Sequence, residues 1–187
     1  MINYPIMKVL LIAPYFQRTW DRRLEVTDKK ISTEENREDL YPSAALLYLA
    51  AMLRANNYEP VIVDLNNQVV HNQKDKYFEY SKKIIIDRKN EHKPALVGIN
   101  CLFSGNFPDV LKFARIIKSH SPNVKIAIGG MHPTTFPKEI VTNCDDIDYV
   151  AIGEGENAIV GIATSIKTKN ENLLSSIKSF CYKDKDG

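Results

Sequence analysis

The sequence predicts an α/β fold: a Rossmann-like, doubly wound sheet of five parallel strands in the order 2-1-3-4-5, flanked by helices. Three observations carry that expectation. Short apolar runs recur five times, and a stretch of helical character follows each one. The runs are continuously apolar rather than alternating, as strands buried on both faces are. Such a regular strand–helix alternation packs most economically as a parallel sheet with right-handed crossovers.

The elements follow in order. Residues 8–14 form the first strand, which Pro14 ends. More than half of residues 17–39 are charged with mixed signs, so the stretch 15–41 reads as a long charged loop with Trp20 as its one large apolar anchor. A helix opens at Pro42-Ser43, with Ser43 as N-cap. It runs to about residue 56, with Leu46, Leu49, Ala50 and Leu53 on one face. Asn56-Asn57 suits a left-handed C-terminal turn. Strand two spans 60–65. A helix over 72–92 carries Tyr77, Tyr80, Ile84 and Ile85 as its apolar stripe and turns Lys82, Lys83, Asp87 and Arg88 to water. Strand three spans 95–100. The next helix starts near Pro108, a favoured first-turn residue, and turns Val110, Phe113, Ala114 and Ile117 inward. Strand four spans 124–128, a short helix begins near Thr135, and strand five spans 148–152. The last helix begins near Glu156 and buries Ile159, Ile162, Ala163 and Ile166. Residues 1–168 are thus expected to form one domain. Residues 169–187 read as the start of a linker and hairpin, with a strand at 179–182 and a turn at 183–187. A chain that stops on a hairpin turn suggests a piece of a longer protein.

Composition bounds the function. Of 187 residues, 44% are hydrophobic and 26% charged, which suits an ordinary globular core. The net charge is only +2, so nucleic acid is not the expected partner. No apolar run approaches the ~18 residues that span a bilayer, so no membrane is expected either. Cys101, Cys144 and Cys181 lie far apart, which fits a reduced, cytoplasmic protein and excludes a local cysteine-rich metal motif.

Several ligands common on such sheets are excluded. Dinucleotide folds, P-loops and flavodoxins place a phosphate-binding turn after strand one. This chain has Ala13-Pro14-Tyr15-Phe16 there. A phosphoacceptor receiver needs an aspartate ending strand three, where this chain has Asn100. No Gly-x-Ser-x-Gly elbow is present. What remains is a ligand held at the carboxyl ends of the strands, where two apolar runs stop at Gly129-Gly130 and at Gly153-Glu154-Gly155. Bare backbone there admits something large, bulky and mostly neutral.

Those residues carry a family resemblance. Gly129-Gly130-Met131-His132-Pro133-Thr134, followed by Asp148-Tyr149-Val150-Ala151-Ile152-Gly153-Glu154-Gly155-Glu156, resembles the N-terminal cobalamin-binding domain of cobalamin-dependent radical S-adenosylmethionine enzymes. The helix after Pro42, the strand Val97-Gly98-Ile99-Asn100 and the tail from Phe180 are similar too. The resemblance implies a corrin over the carboxyl edge of the sheet and a nucleotide tail entering beside strands three and four. Asn100, Leu102, Phe103, Ser104 and Gly105 would line the tail pocket. Gly129, Gly130, His132 and Pro133 would border it from strand four, and Gly153, Glu154 and Gly155 from strand five. Pro14 and Tyr15 would complete the rim.

The chain departs from the better-known cobalamin pattern: no histidine lies between Met1 and Gln68, so no protein ligand to cobalt is expected. Nor is there a Cys-x-x-x-Cys-x-x-Cys motif. S-adenosylmethionine and a 4Fe-4S cluster would therefore belong to a C-terminal radical domain outside this chain, its partner in a parent enzyme performing methyl transfer or radical rearrangement. Within the chain no catalytic residue is expected. Glu156 suits a helix N-terminus, Glu154 a hydrogen bond to ribose or loop backbone, Cys101 packing, and Asp64 a hydrogen bond or turn cap. His71, His92 and His120 read as surface residues. The missing axial histidine motivates a rival reading, a non-catalytic Rossmann-like interaction or nucleotide-binding module that binds no cobalamin.

Overall fold

A computed structural model of the chain describes residues 6–15, 43–66 and 77–183. The expected charged loop, with Trp20, lies almost wholly outside the described residues, as do Pro42, His71, positions 72–76 of the second helix and the hairpin turn from residue 184.

The parallel strands are β1 (Lys8–Ala13), β2 (Glu59–Asp64), β3 (Leu96–Asn100), β4 (Lys125–Gly129) and β5 (Tyr149–Ala151). Their order is the expected 2-1-3-4-5, but the sheet does not stop there. A sixth strand, β6 (Phe180–Tyr182), adds to the outer edge of β5 and runs antiparallel to it. The five-stranded parallel expectation is therefore corrected to a six-stranded mixed sheet among the described residues. The strand reading of 179–182 was sound, but its pairing is not visible in local sequence. It depends on β5, some thirty residues upstream, where Tyr149 lies opposite Tyr182 and its ring approaches Phe180 with centroids 6.3 Å apart.

The helices are α1 (Ala44–Ala55), α2 (Tyr77–His92), α3 (Phe107–His120), α4 (Met131–Thr135), α5 (Pro137–Asn143) and α6 (Glu156–Thr168). Alternate residues of a strand face opposite sides of the sheet, and β1 shows it. Leu10 and Ile12 join the core layer completed by α2, α3 and α5; Val9, Leu11 and Ala13 join the layer completed by α1 and α6. Burial on both faces explains why the parallel strands read as unbroken apolar runs.

Three local readings shift. Ser43 does not cap α1 with its side chain; its backbone N–H donates to Asp64 Oδ2 at 3.0 Å, so the end of β2 anchors the helix start. Asp64 Oδ1 also accepts from the Asn66 N–H, so it caps the next turn as well. The buried line on α2 is Tyr77, Ser81, Ile85 and Lys89, while Tyr80 and Ile84 are only partly buried. Lys89 can lie there because its long stem packs inside while Nζ reaches Ser121 Oγ at 2.7 Å. The segment after β4 forms two short helices rather than one, and the first already starts at Met131. Asn57 adopts the expected left-handed turn, with φ 60°.

Candidate functional site

Five parallel strands place their carboxyl ends along one edge. At the end of β1, Pro14 and Tyr15 are buried. The Tyr15 N–H donates to Tyr77 Oη at 3.1 Å, and the Tyr15 carbonyl accepts from Asn106 Nδ2 at 2.9 Å. Burial pushes the Tyr77 hydroxyl up to about 12, so it stays protonated near neutrality. Tyr15 thus joins the loop after β3 to the end of β1 as part of a wall.

The ends of β3 and β4 are locked together. Asn100 lies opposite Gly129, and the Cys101 N–H donates to the Gly129 carbonyl at 2.7 Å. The chain then turns at Gly130 with φ +117°, a conformation that L side chains rarely adopt. A Cβ on Gly130 would lie 2.6 Å from the Cys101 carbonyl oxygen. Glycine is required here by the protein's own backbone. Gly129 differs: a Cβ there would meet only the Ala151 methyl, at an ordinary 3.5 Å.

Beyond β3, Leu102, Phe103, Ser104 and Gly105 are all exposed, Phe103 to 52%. Met131, on the neighbouring turn, is 65% exposed. Pro133 is buried beneath them. His132 lies beside two aromatic rings, with centroids 4.4 Å from Phe107 and 5.2 Å from Phe136. Its Nδ1 is 2.9 Å from Ser104 Oγ, and its backbone N–H donates to the Cys101 carbonyl. Burial holds the imidazole below its ordinary value, favouring the neutral ring.

At the end of β5, Gly153 has φ +70° and donates its N–H to Thr134 Oγ1 at 2.9 Å. Nothing lies within 4 Å of where its Cβ would be. Glu154 is exposed, and Gly155 rests near Leu49 of α1. Glu156 opens α6, where its charge complements the helix dipole.

The structure therefore gathers every residue expected at the site along one edge. Leu102 to Gly105, Gly129 to Pro133 and Gly153 to Gly155 sit at the ends of three adjacent strands, while Pro14 and Tyr15 stand at β1 as buried support. Sequence reasoning missed Thr134 and Asn106, which tie these segments together; both are polar residues in turns, a signal too common to single them out. It also missed Met131 and Phe136, apolar residues left exposed beside the glycines. Cys101 offers no nucleophile, because burial raises its thiol to about 12. Among the described residues, no three His, Cys, Asp or Glu side chains converge on a possible metal position.

The edge thus presents exposed apolar side chains, open space over Gly153 and an unstrained glycine at Gly129, with bare backbone at the strand ends. That combination fits a broad ligand of low charge. A family model described as the B12 binding domain matches residues 35–163. The chain belongs to this family.

It is a cobalamin-binding domain, and its sheet is the Rossmann-like scaffold expected of one. Family membership favours this reading over the rival module that binds no cobalamin. Curated relatives include a cytidylyl-2-hydroxyethylphosphonate methyltransferase of Streptomyces wedmorensis, 28% identical over 79% of this chain and 28% of that protein. An uncharacterized methyltransferase of Pyrococcus horikoshii is 28% identical over 96% of this chain and 33% of its own length. An anaerobic magnesium-protoporphyrin IX monomethyl ester cyclase of Rubrivivax gelatinosus is 27% identical over 67% of this chain and 21% of its length. The chain spans a third or less of each of these relatives. Among the described residues, no helix is long and apolar enough to cross a membrane.

Proposed function

We propose that this B12-binding domain serves a cobalamin-dependent radical S-adenosylmethionine enzyme, holding cobalamin at the carboxyl edge of its sheet and presenting it to a radical domain that lies in another part of the parent protein. The observation that carries the proposal is the pairing of the open position at Gly153, and the unstrained, unclashing one at Gly129, with the exposed apolar groups Leu102, Phe103 and Met131. Leu102, Phe103, Ser104 and Gly105 with Asn100 form one wall of the tail cleft. Gly129 and Gly130 form its floor, and Gly153, Glu154 and Gly155 the opposite border. Pro14 and Tyr15 support the rim beside β1, and His132 and Pro133 hold the turn after β4. The relatives named as methyltransferases favour methyl transfer as the parent activity, and the relative named as a cyclase favours a radical rearrangement as the second reading.

Cobalamin, when bound, supplies methyl transfer or electron shuttling; S-adenosylmethionine and a 4Fe-4S cluster belong to the radical domain. The residues of this chain bind, orient and exclude water. No histidine of this chain is assigned to cobalt. His92 and His120 close helices at the opposite edge of the sheet, just before β3 and β4 begin. A reduced, cytoplasmic setting fits three cysteines that are all free.

The test is retention of hydroxocobalamin by purified protein after desalting, read from the visible corrin absorbance, with a thermal shift recorded in parallel. A ligand that binds only the folded state raises the melting temperature. Retained corrin and a raised melting temperature are expected. A protein that releases all corrin and melts unchanged sinks the cofactor assignment. The radical-enzyme part is tested separately, by the presence or absence of a Cys-x-x-x-Cys-x-x-Cys motif in the parent reading frame.

A further inference from the structure

His132 is the side chain on this edge with the most specific surroundings, and neither cobalt ligation nor catalysis accounts for them. It sits in the turn after β4, yet most of its partners come from the segment after β3. Nδ1 reaches Ser104 Oγ in the loop after β3 at 2.9 Å. Its ring lies beside Phe107 at the start of α3 and Phe136 between α4 and α5. Its own N–H is fastened to the Cys101 carbonyl at 3.3 Å. Cys101 in turn donates its N–H to Gly129, and its thiol lies 3.7 Å from the Phe103 carbonyl. The Ser104, Phe107 and Cys101 contacts join the segment after β3 to the β4 turn.

We infer that His132 is a positioning residue, a clip that holds the exposed loop Leu102–Gly105 against the Gly129-Gly130 turn so that the wall of the cofactor cleft exists before the cofactor arrives. The inference rests on the proposed cobalamin site, since that is what gives the wall its use. The physical argument is preorganisation. Leu102, Phe103, Ser104 and Gly105 are exposed and have no strand or helix of their own beyond one short turn over Ser104–Asn106. A loop of that kind costs conformational entropy to order, and a ligand that must order it binds more weakly. The imidazole, with one nitrogen committed to Ser104 and two aromatic rings beside it, sets that order in the free protein. The nitrogen engaged with Ser104 is not available to any other partner.

The experiment uses His132→Ala, Ser104→Ala, their double variant, and His132→Asn, which preserves a short polar group toward Ser104. Two readouts separate the clip from the cofactor assignment. The first is amide hydrogen exchange over residues 102–106 without ligand. Exchange there should quicken in His132→Ala and Ser104→Ala and recover in part in His132→Asn, while the amides of β1 and β3 stay protected. The second is hydroxocobalamin affinity. Loss of the clip should weaken it about tenfold in His132→Ala, the scale of one hydrogen bond and its ordering. Ser104→Ala should weaken it less, and the double variant no more than His132→Ala alone. The visible spectrum of bound cobalamin should be the same in wild type and His132→Ala. Unchanged loop exchange overturns the inference whether or not cobalamin binds. Fully additive losses overturn it, because the two residues would then act independently. A changed cobalt spectrum overturns it in favour of direct ligation. If wild-type protein retains no cobalamin, the site assignment falls, while the exchange data still decide the clip.

Discussion

The turns that end β4 and β5 look alike in sequence, each an apolar strand running into glycine, yet they need glycine for different reasons. At the β4 turn, Gly130 is pressed against the Cys101 carbonyl with φ +117°. Only glycine satisfies that contact, and no ligand need be invoked. At the β5 turn, Gly153 also has a positive φ, but the space in front of it is open. Gly129 is the reverse case, with neither a strained φ nor a close neighbour beyond Ala151. A glycine pair can therefore contain one residue that serves the fold and one that leaves room for something else.

The largest expected effect breaks the β4 turn. Gly130→Ala forces a Cβ into the Cys101 carbonyl and should cost about 3 kcal/mol, combining backbone strain with overpacking. A urea unfolding curve checks it; a midpoint equal to wild type would mean the turn relaxes freely. Gly129→Leu should do the opposite. Its Cβ has an ordinary neighbour, so stability should stay within about 1 kcal/mol of wild type, while cobalamin retention is lost because the side chain fills the cleft. Normal retention would move the cleft elsewhere. Gly153→Ala should lie between, costing about 1 kcal/mol for a left-handed φ with no steric clash. Gly153→Asn should recover part of that loss, measured on the same curves.

The smallest effect is a pH dependence. Burial lowers the His132 pKa from its ordinary 6.5, so below that value the unfolded chain takes up a proton more readily than the folded one. Stability should hold above pH 6.5 and fall as the solution is acidified through and below it. The His132→Asn variant should lose that part of the slope. An identical pH profile in the variant would assign the slope to other groups.

Much of this molecule was legible from its residues. The parallel, doubly wound sheet follows from five unbroken apolar runs, because burial on both faces removes the alternation that marks other strands, and the order 2-1-3-4-5 is a common one for five such βα units. The edge carrying the site follows from Gly129, Gly130 and Gly153, since strand polarity puts all carboxyl ends together. What escaped was contact between distant segments. On α2, Tyr80 and Ile84 do pack partly buried against the core, but Lys89 in the buried line has no signal in the sequence, because a lysine counts as polar until Ser121 is seen beside it. The sixth strand was recognised as a strand but not as a sheet member, because an antiparallel edge pairing depends on a partner far away in the chain. Ser43 has the residue type of an N-cap, whereas it is Asp64 that reaches across to hold its amide.

By itself, the sequence determined which stretches are strands and helices, and that the ligand edge lies where the strands end in glycine. Hydrophobic periodicity and backbone permissiveness are local properties, set by each residue and its near neighbours. Only the tertiary structure decided that Gly130 is spoken for by Cys101, that Gly129 is not, and that His132 faces Ser104 and two aromatic rings. Those distinctions turn on ångström-scale approaches between segments some thirty residues apart, which no local pattern encodes.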